Sequence, residues 1–163
     1  MRARPSTDGP AGDGDWTAVA VEAAAVGFLA RREHSRAELT RKLAARGAPP
    51  DIVETVLDDL VRRKLQSDAR FAESLVASRA GRGQGPARIR RELAEHGIDP
   101  VVADEALEAC GEDWRALARE VRRRKFGSGM PGEWKERARQ MRFLEYRGFT
   151  GEQIRAALGD GDD

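Results

Sequence analysis

Apolar residues recur in three similar patterns along the chain, and each pattern is anchored on one glycine. Counted from Gly47, Gly97 and Gly148, apolar side chains follow at the sixth, ninth and tenth positions in every copy. Spacings of three and four residues are typical of one face of a helix. The glycines lie 50 and 51 residues apart, so the sequence predicts three copies of one structural unit.

Each glycine is expected to end one helix and to open the turn into the next, because glycine adopts a positive φ without steric cost. Asp99 with Pro100 has the pattern of a helix N-cap after the second glycine. Thr150 and Gln153 have the spacing of a capping box after the third. Pro49, which follows the first glycine, has no side-chain group that caps a helix. The sequence therefore predicts a helix, a tight turn and a second helix in every copy.

A third helix is predicted ahead of each pair. Ser35 and Glu38 have capping-box spacing at the start of the helix that ends at Gly47, and Pro86 begins the equivalent helix in the second copy. The additional helices are predicted over about Trp16–Glu33, Ala69–Ala80 and Asp113–Phe126. The fold class that follows is all-α, without strands: an elongated tandem array of three three-helix repeats.

The array is expected to have short polar segments at both ends. Residues 1–15 contain Pro and Gly and are predicted to be a disordered leader, and residues 160–163 are an acidic tail. Aspartates separate the arginines of the leader from the small apolar residues that follow, so no secretory signal is predicted. The three helical repeats are predicted at 16–67, 68–112 and 113–159.

Composition narrows the class of protein without identifying a function. The chain has 163 residues, of which 40% are hydrophobic, 6% aromatic and 35% charged. These values are typical of a folded, soluble chain, and no apolar run reaches the roughly 20 residues that span a bilayer. Cys110 is the only cysteine, so it has no intramolecular disulfide partner. We expect a cytoplasmic monomer that has no membrane partner.

Positive charge is concentrated in the third repeat, although the whole chain has a net charge of only +1. Residues 20–67 carry +2, residues 68–112 carry −3, and residues 113–158 carry +6 from twelve basic and six acidic side chains. Clustered positive charge attracts phosphates or an acidic protein surface. The third repeat is therefore the strongest candidate for an electrostatic contact.

Nine basic residues are candidates for contact with a protein partner or with DNA. Four form a run at the end of a predicted helix, three share one face of the next helix, and two lie in the second repeat. In that order they are Arg122, Arg123, Arg124 and Lys125; Lys135, Arg139 and Arg142; and Arg88 and Arg91. Cations near a helix C-terminus also interact favourably with the helix dipole, but four in succession exceed that need.

The sequence offers no set of residues that predicts catalysis. His34 and His96, the only histidines, are far apart and are expected to have structural or solvent-exposed roles. Together with one cysteine they do not have the spacing of a zinc site. The glycine-rich segment 81–85 follows a helix and lacks the Gly-Lys-Ser/Thr ending of a phosphate-binding loop. We therefore expect a protein that is not an enzyme and has no cofactor and no metal.

A helix-turn-helix reader of DNA is an alternative, since each copy places two helices around a glycine turn. The second helices are acidic in the first two copies, for example at Asp58 and Glu105, and DNA phosphates would repel them. Trp134 and Tyr146 offer surfaces on which bases stack, although aromatic residues in helices more often belong to a core. Three other aromatic residues are assigned to packing: Trp114, Phe143 and Phe149.

The order of several short motifs is similar to that of a known family. The second copy contains Asp68–Glu73, Gly85–Ile89 and Gly97–Ile98, and the third contains Arg142–Leu144 and Arg147–Phe149. Through this order and the threefold repeat, the chain resembles the RecX family of recombination regulators over about residues 20–159.

The resemblance implies a non-enzymatic regulator of the RecA recombinase. Members of the family bind the RecA–DNA filament, lie along its helical groove, and usually inhibit RecA ATPase, strand exchange and co-protease activity in homologous recombination, DNA repair and the SOS response. Single- or double-stranded DNA is implied as a weak second partner, through its backbone. The residues alone leave open whether RecA is inhibited or stimulated. They also leave two alternatives: a RecA-independent, non-specific DNA-binding helical module, and a transcription regulator.

Overall fold

Residues 16–160 form nine α-helices and no strand in the computed structural model, which describes this part of the chain. The helices are α1 (Ala18–Leu29), α2 (Arg36–Ala45), α3 (Pro50–Arg62), α4 (Asp68–Gly81), α5 (Pro86–Glu95), α6 (Pro100–Ala109), α7 (Trp114–Phe126), α8 (Trp134–Tyr146) and α9 (Gly151–Ala157). The predicted all-α fold with three groups of three helices is confirmed. The predicted leader, and the acidic tail beyond Asp160, lie outside the described residues.

The three turn glycines have the backbone conformation that the pattern predicts. Their φ angles are +86° at Gly47, +72° at Gly97 and +94° at Gly148, in the left-handed region that favours glycine. The apolar positions that follow at the sixth, ninth and tenth residues are buried in all three copies. The second helix of each pair therefore packs through the face that the spacing indicates.

The side chains that cap the N-termini of these helices are largely the predicted ones. Asp99 accepts a hydrogen bond from the first turn of α6, and Thr150 takes part in both bonds of a capping box at α9. Ser35 accepts a bond from the N–H of Glu38, but the Glu38 carboxylate pairs with Arg32. The capping box predicted at Ser35 is therefore only half present, because the nearby guanidinium takes the carboxylate.

The chain forms two compact units, and the first comprises residues 16–71 together with 96–98. Within it α1, α2 and α3 pack against one another. Their core contains small and branched apolar side chains: Val21, Ala25, Leu39, Leu43, Val53, Val56, Leu57 and Leu60. The turn at 96–98 belongs to this unit, where Ser35 Oγ donates a hydrogen bond of 2.8 Å to the carbonyl oxygen of His96.

The second unit comprises residues 72–95 and 99–160, and so holds most of α4 together with α5–α9. α5 packs on α6, and α7 packs on both α8 and α9. Arg79 of α4 forms a two-pronged ion pair with Glu92 of α5, with a shortest N–O distance of 2.6 Å. The core around α7 contains Ala118, Val121, Leu144, Phe149, Ile154, Ala157 and Leu158. All nine basic candidates belong to this unit.

Candidate functional site

The candidate cations of α8 lie on its exposed face. Lys135, Arg139 and Arg142 are all exposed, and their spacing places them on one side of the helix. The Lys135 ammonium lies 5.8 Å from the centre of the Trp134 ring. Arg139 contacts the Glu136 carboxylate at 3.3 Å, whereas Lys135 and Arg142 form no ion pair with residues 16–160. Two of the three charges are therefore open to an outside anion.

Arg88 and Arg91 of α5 extend this surface through Tyr146. The Arg88 guanidinium lies 5.2 Å from the centre of the Tyr146 ring and donates a 3.4 Å hydrogen bond to the Tyr146 carbonyl oxygen. The Tyr146 side chain is itself 73% exposed. Arg91 lies one helical turn beyond Arg88 and is exposed. We call the resulting surface the basic strip; it consists of Arg88, Arg91, Lys135, Arg139 and Arg142.

Main-chain hydrogen bonds connect the two helices that carry the basic strip. The N–H of Gly85 donates to the carbonyl oxygen of Arg147 at 2.7 Å, and the N–H of Ala87 donates to that of Gly148 at 3.0 Å. These donors lie at the start of α5, where N–H groups have no partner within the helix. They meet the carbonyls that follow α8, so the second and third repeats are joined end to end. We call this contact the glycine joint.

Arg122 does not belong to an exposed contact surface, and this corrects the sequence prediction. Its side chain lies on the inner side of α7, one turn after Ala118, and only 3% of the residue is exposed. Its Nη1 donates hydrogen bonds to the carbonyl oxygen of Gly129 at 3.1 Å and to Gln140 Oε1 at 3.3 Å. Arg122 thus attaches the loop after α7 to α8, and a phosphate or acidic side chain cannot approach it from solvent.

The other three cations of the run are exposed, but two of them share one carboxylate. Arg123 Nη2 lies 2.7 Å, and Arg124 Nε 2.8 Å, from oxygens of Glu120. Hydrogen bonds from Arg123 and then Arg124 lower the pKa of the Glu120 carboxyl. Lys125 Nζ lies 5.8 Å from the centre of the Phe143 ring. Because Glu120 offsets part of their charge, Arg123 and Arg124 attract an anion less strongly than the basic strip does.

The meeting of α5 and α8 was not predicted from the sequence, although a signal for it exists. Ser35 and Gly85 each lie twelve residues before a turn glycine. Ser35 donates a hydrogen bond to the carbonyl oxygen of His96, which precedes Gly97. Gly85 donates one to the carbonyl oxygen of Arg147, which precedes Gly148. A small residue at this repeat position therefore marks where the next turn docks. Tyr146 joins the basic strip because it immediately precedes Arg147.

The side chains that are able to ligate a metal or to act as nucleophiles are dispersed. Among residues 16–160, no three His, Cys, Asp or Glu side chains come together as a metal site. His34 is buried in the first unit, and Cys110 is exposed in the second. No helix in the described range is long and apolar enough to cross a membrane. What the second unit offers is a surface that attracts anions.

Tandem three-helix groups define an all-α helical-repeat protein, and its second unit carries a cationic strip on its surface. Its family is identified by its sequence. Family models described as the first, second and third three-helix domains of RecX match residues 23–60, 67–107 and 112–158, respectively. The chain belongs to the RecX family.

Curated relatives with the name "Regulatory protein RecX" cover most of the chain. The protein of Pseudomonas syringae pv. tomato is 49% identical over 148 residues, which are 90% of this chain and 96% of its own. That of Halorhodospira halophila is 50% identical over 144 residues, covering 88% and 89%. The crystal structure of RecX from Lactobacillus salivarius has a TM-score of 0.70 at 22% identity, over 88% of this chain and 95% of that one. The relatives indicate a regulatory protein, and the crystal structure supports the fold.

Proposed function

We propose that this chain regulates the RecA recombinase by binding the RecA–DNA filament, and that it inhibits RecA ATPase, strand exchange and co-protease activity. The observation that carries the proposal is the basic strip, which spans two repeats of a RecX-family chain. Four of its five cations are exposed, Arg88 is half-buried beside Tyr146, and Arg91, Lys135 and Arg142 form no ion pair with residues 16–160. A filament that contains DNA presents a regular row of phosphates to such a surface.

The mechanism depends on the strip being held by a fixed main-chain joint. Because the glycine joint connects α5 to α8 through backbone hydrogen bonds, cations from both helices engage an anionic surface together. Each contact is individually weak in water, but several act in concert. Binding across neighbouring filament subunits would hold them in one arrangement and hinder nucleotide turnover. We further propose that the protein is cytoplasmic and monomeric, and that it acts by binding and not by catalysis.

The test is RecA ATP hydrolysis on single-stranded DNA, titrated with this chain at ratios below one to one. The wild type is expected to suppress hydrolysis at low ratios, and Arg91→Glu/Arg142→Glu is expected to lose this effect. The matched control is Arg62→Glu/Arg155→Glu, which makes the same change in net charge at two exposed arginines outside the basic strip.

Two outcomes would contradict the proposal. Unchanged inhibition by Arg91→Glu/Arg142→Glu at physiological salt would show that the basic strip is not the contact surface. Unaffected hydrolysis at saturating wild-type protein, together with binding to DNA alone, would favour the RecA-independent DNA-binding module. Stimulation in place of suppression would keep RecA as the partner and reverse the proposed effect.

A further inference from the structure

Tyr146 lies where the two halves of the basic strip meet. On α8 it follows Lys135, Arg139 and Arg142 at spacings of eleven, seven and four residues, which place all four side chains on one face of the helix. On α5 the nearest strip cation is Arg88, whose guanidinium lies 5.2 Å from the centre of the tyrosine ring. An aromatic ring therefore lies between the cations of α8 and those of α5.

The Tyr146 ring is open to solvent, although Arg88 holds its position. Tyr146 is 73% exposed, and its hydroxyl group forms no hydrogen bond with residues 16–160. Arg88 contacts the ring and donates a 3.4 Å hydrogen bond from Nη1 to the Tyr146 carbonyl oxygen. Core packing does not account for an aromatic residue at this position. What Tyr146 offers is a flat apolar surface among positive charges.

The surroundings of the ring favour a nucleic acid over a protein as its ligand. The core of a protein interface is depleted in charged residues, whereas the neighbours of Tyr146 on this face are Arg88 and Arg142. Proteins that hold single strands of nucleic acid combine cations along the backbone with aromatic rings on which bases stack. In a duplex the bases stack on each other, so their faces are closed to such a ring. The arrangement therefore fits DNA whose bases are unpaired.

We propose that Tyr146 stacks on an unpaired base of single-stranded DNA whose phosphates contact the basic strip. This inference rests on the proposed function, in which the strip contacts DNA, and it adds a contact to a base. Phosphate contacts carry no information about the bases. Because every base has a flat face, stacking on Tyr146 strengthens binding to unpaired DNA without selecting a sequence.

Trp134, the other strongly exposed ring of α8, provides a matched control. It is 75% exposed, and its ring centre lies 5.8 Å from Lys135 Nζ. Trp134 precedes Tyr146 by twelve residues, so the two residues lie about 120° apart around the helix and about 18 Å apart along it. Trp134 is therefore as accessible as Tyr146 but lies off the face that carries the cations.

The test compares Tyr146→Ala, Tyr146→Phe and Trp134→Ala with the wild type. Binding is measured without RecA to three DNA ligands of equal length: poly-dT, a single strand that is abasic throughout, and a duplex. Tyr146→Ala is expected to bind poly-dT about tenfold more weakly, as when one stacked ring is removed elsewhere. Its binding to the abasic strand and to the duplex is expected to be unchanged. Tyr146→Phe, which keeps the ring, and Trp134→Ala are expected to bind all three ligands as the wild type does.

The abasic strand separates stacking from an indirect effect of the ring on its neighbours. If Tyr146→Ala weakens binding to the abasic strand as much as to poly-dT, the ring acts by positioning Arg88, and the inference is wrong. An equal loss of poly-dT binding in Trp134→Ala would show that exposure alone, and not the place of Tyr146 in the basic strip, decides the contact. Normal poly-dT binding by Tyr146→Ala with weakened RecA binding would make the ring a protein contact.

The same measurements distinguish this inference from the proposed function. If the wild type inhibits RecA but binds poly-dT and the abasic strand equally well, the strip contacts the backbone alone; the inference falls and the proposed function stands. The same holds if the wild type inhibits RecA and binds none of the three ligands. If it neither inhibits RecA nor binds DNA, both proposals fall. Circular dichroism and urea unfolding confirm that each variant is folded.

Discussion

Gly85 and Gly148 meet at the glycine joint, and each is required for a different physical reason. A Cβ on Gly85 would lie 2.5 Å from the backbone nitrogen of Phe149. A Cβ on Gly148 would lie 2.7 Å from the backbone nitrogen of Arg88, and the φ of +94° at Gly148 already disfavours any side chain. Both close approaches involve main-chain atoms, so no change of rotamer relieves them. The joint therefore depends on the absence of two side chains.

Gly85→Ala is expected to destabilise the second unit by about 1–3 kcal/mol, as at other overpacked sites. Gly129→Ala is the matched control, because no atom lies within 4 Å of a Cβ at that position and its φ is not positive. The control is expected to change the free energy of unfolding by less than about 0.5 kcal/mol. Urea denaturation measures both values. Equal stability of the two variants would mean that the joint tolerates a methyl group.

The segment between α1 and α2 holds a buried histidine in its neutral form. His34 Nδ1 lies 3.0 Å from the carbonyl oxygen of Arg32, and His34 Nε2 lies 3.0 Å from Lys42 Nζ. With Nδ1 donating to the carbonyl, Nε2 is the acceptor for the lysine, and this arrangement requires an uncharged ring. Burial, first, and then the nearby charges of Arg32 and Lys42 lower the pKa of His34, although the bond to the Arg32 carbonyl and Glu38 oppose the shift.

The stability of the protein is therefore expected to fall as the pH drops below about 6.5. In that range the unfolded chain binds a proton at His34 that the folded chain does not, so acid favours unfolding. His34→Gln is expected to flatten this dependence between about pH 7 and pH 5. The free energy of unfolding, measured across that range for both proteins, tests it. Parallel curves for wild type and variant would place the pH dependence elsewhere.

Glu38 acts in a lower pH range than His34. Burial raises the pKa of its carboxyl, but the Arg32 hydrogen bond and the charges of Arg32, His34 and Lys42 together lower it below its usual value. The stabilisation that follows is present above the ordinary glutamate pKa of about 4.3 and is lost as the pH falls through the lowered value. The two groups therefore contribute to acid unfolding in succession, His34 first.

At the level of elements, the sequence predicted helices better than it predicted which basic side chains are exposed. Caps and turn glycines are local signals, so Asp99, Thr150 and Gly148 were assigned correctly. Four consecutive residues on a helix point in directions that span about 300°, so a run such as Arg122–Lys125 is expected to turn at least one member towards the core. The position of Arg122, one turn after the buried Ala118, was the available signal. Its partners on the loop after α7 and on α8 required the structure.

At the level of the whole molecule, charge is distributed unevenly between the repeats, from −3 in residues 68–112 to +6 in residues 113–158.

The repeat number and fold class were predictable because the hydrophobic spacing recurs after each turn glycine. The basic strip was not, because its members come from two repeats that are distant in sequence. The glycine joint, a contact between main-chain groups, and the contact of Arg88 with Tyr146 bring α5 and α8 together. The hydrophobic spacing of either helix does not indicate these contacts.

The salt dependence of DNA binding provides a measure of how many of these cations contact phosphates. Arg91→Ala/Arg142→Ala is expected to reduce the slope of log K against log salt for poly-dT by about 1.4, since each phosphate contact on a single strand contributes about 0.7. Arg123→Ala/Arg124→Ala is expected to reduce the slope less, because Glu120 already offsets part of that charge. Equal reductions in the two variants would mean that both surfaces contact the backbone.

The glycine joint also has a consequence for how the second and third repeats change together over evolution. Its hydrogen bonds run between main-chain groups of Gly85, Ala87, Arg147 and Gly148, which every sequence possesses in nearly the same form. Provided that glycine remains at its two crowded positions, these main-chain hydrogen bonds do not depend on the identity of the flanking side chains. The third repeat is thus an exchangeable part. A chimera that carries the third repeat of a distant relative is expected to keep these main-chain hydrogen bonds and to acquire that relative's outer surface.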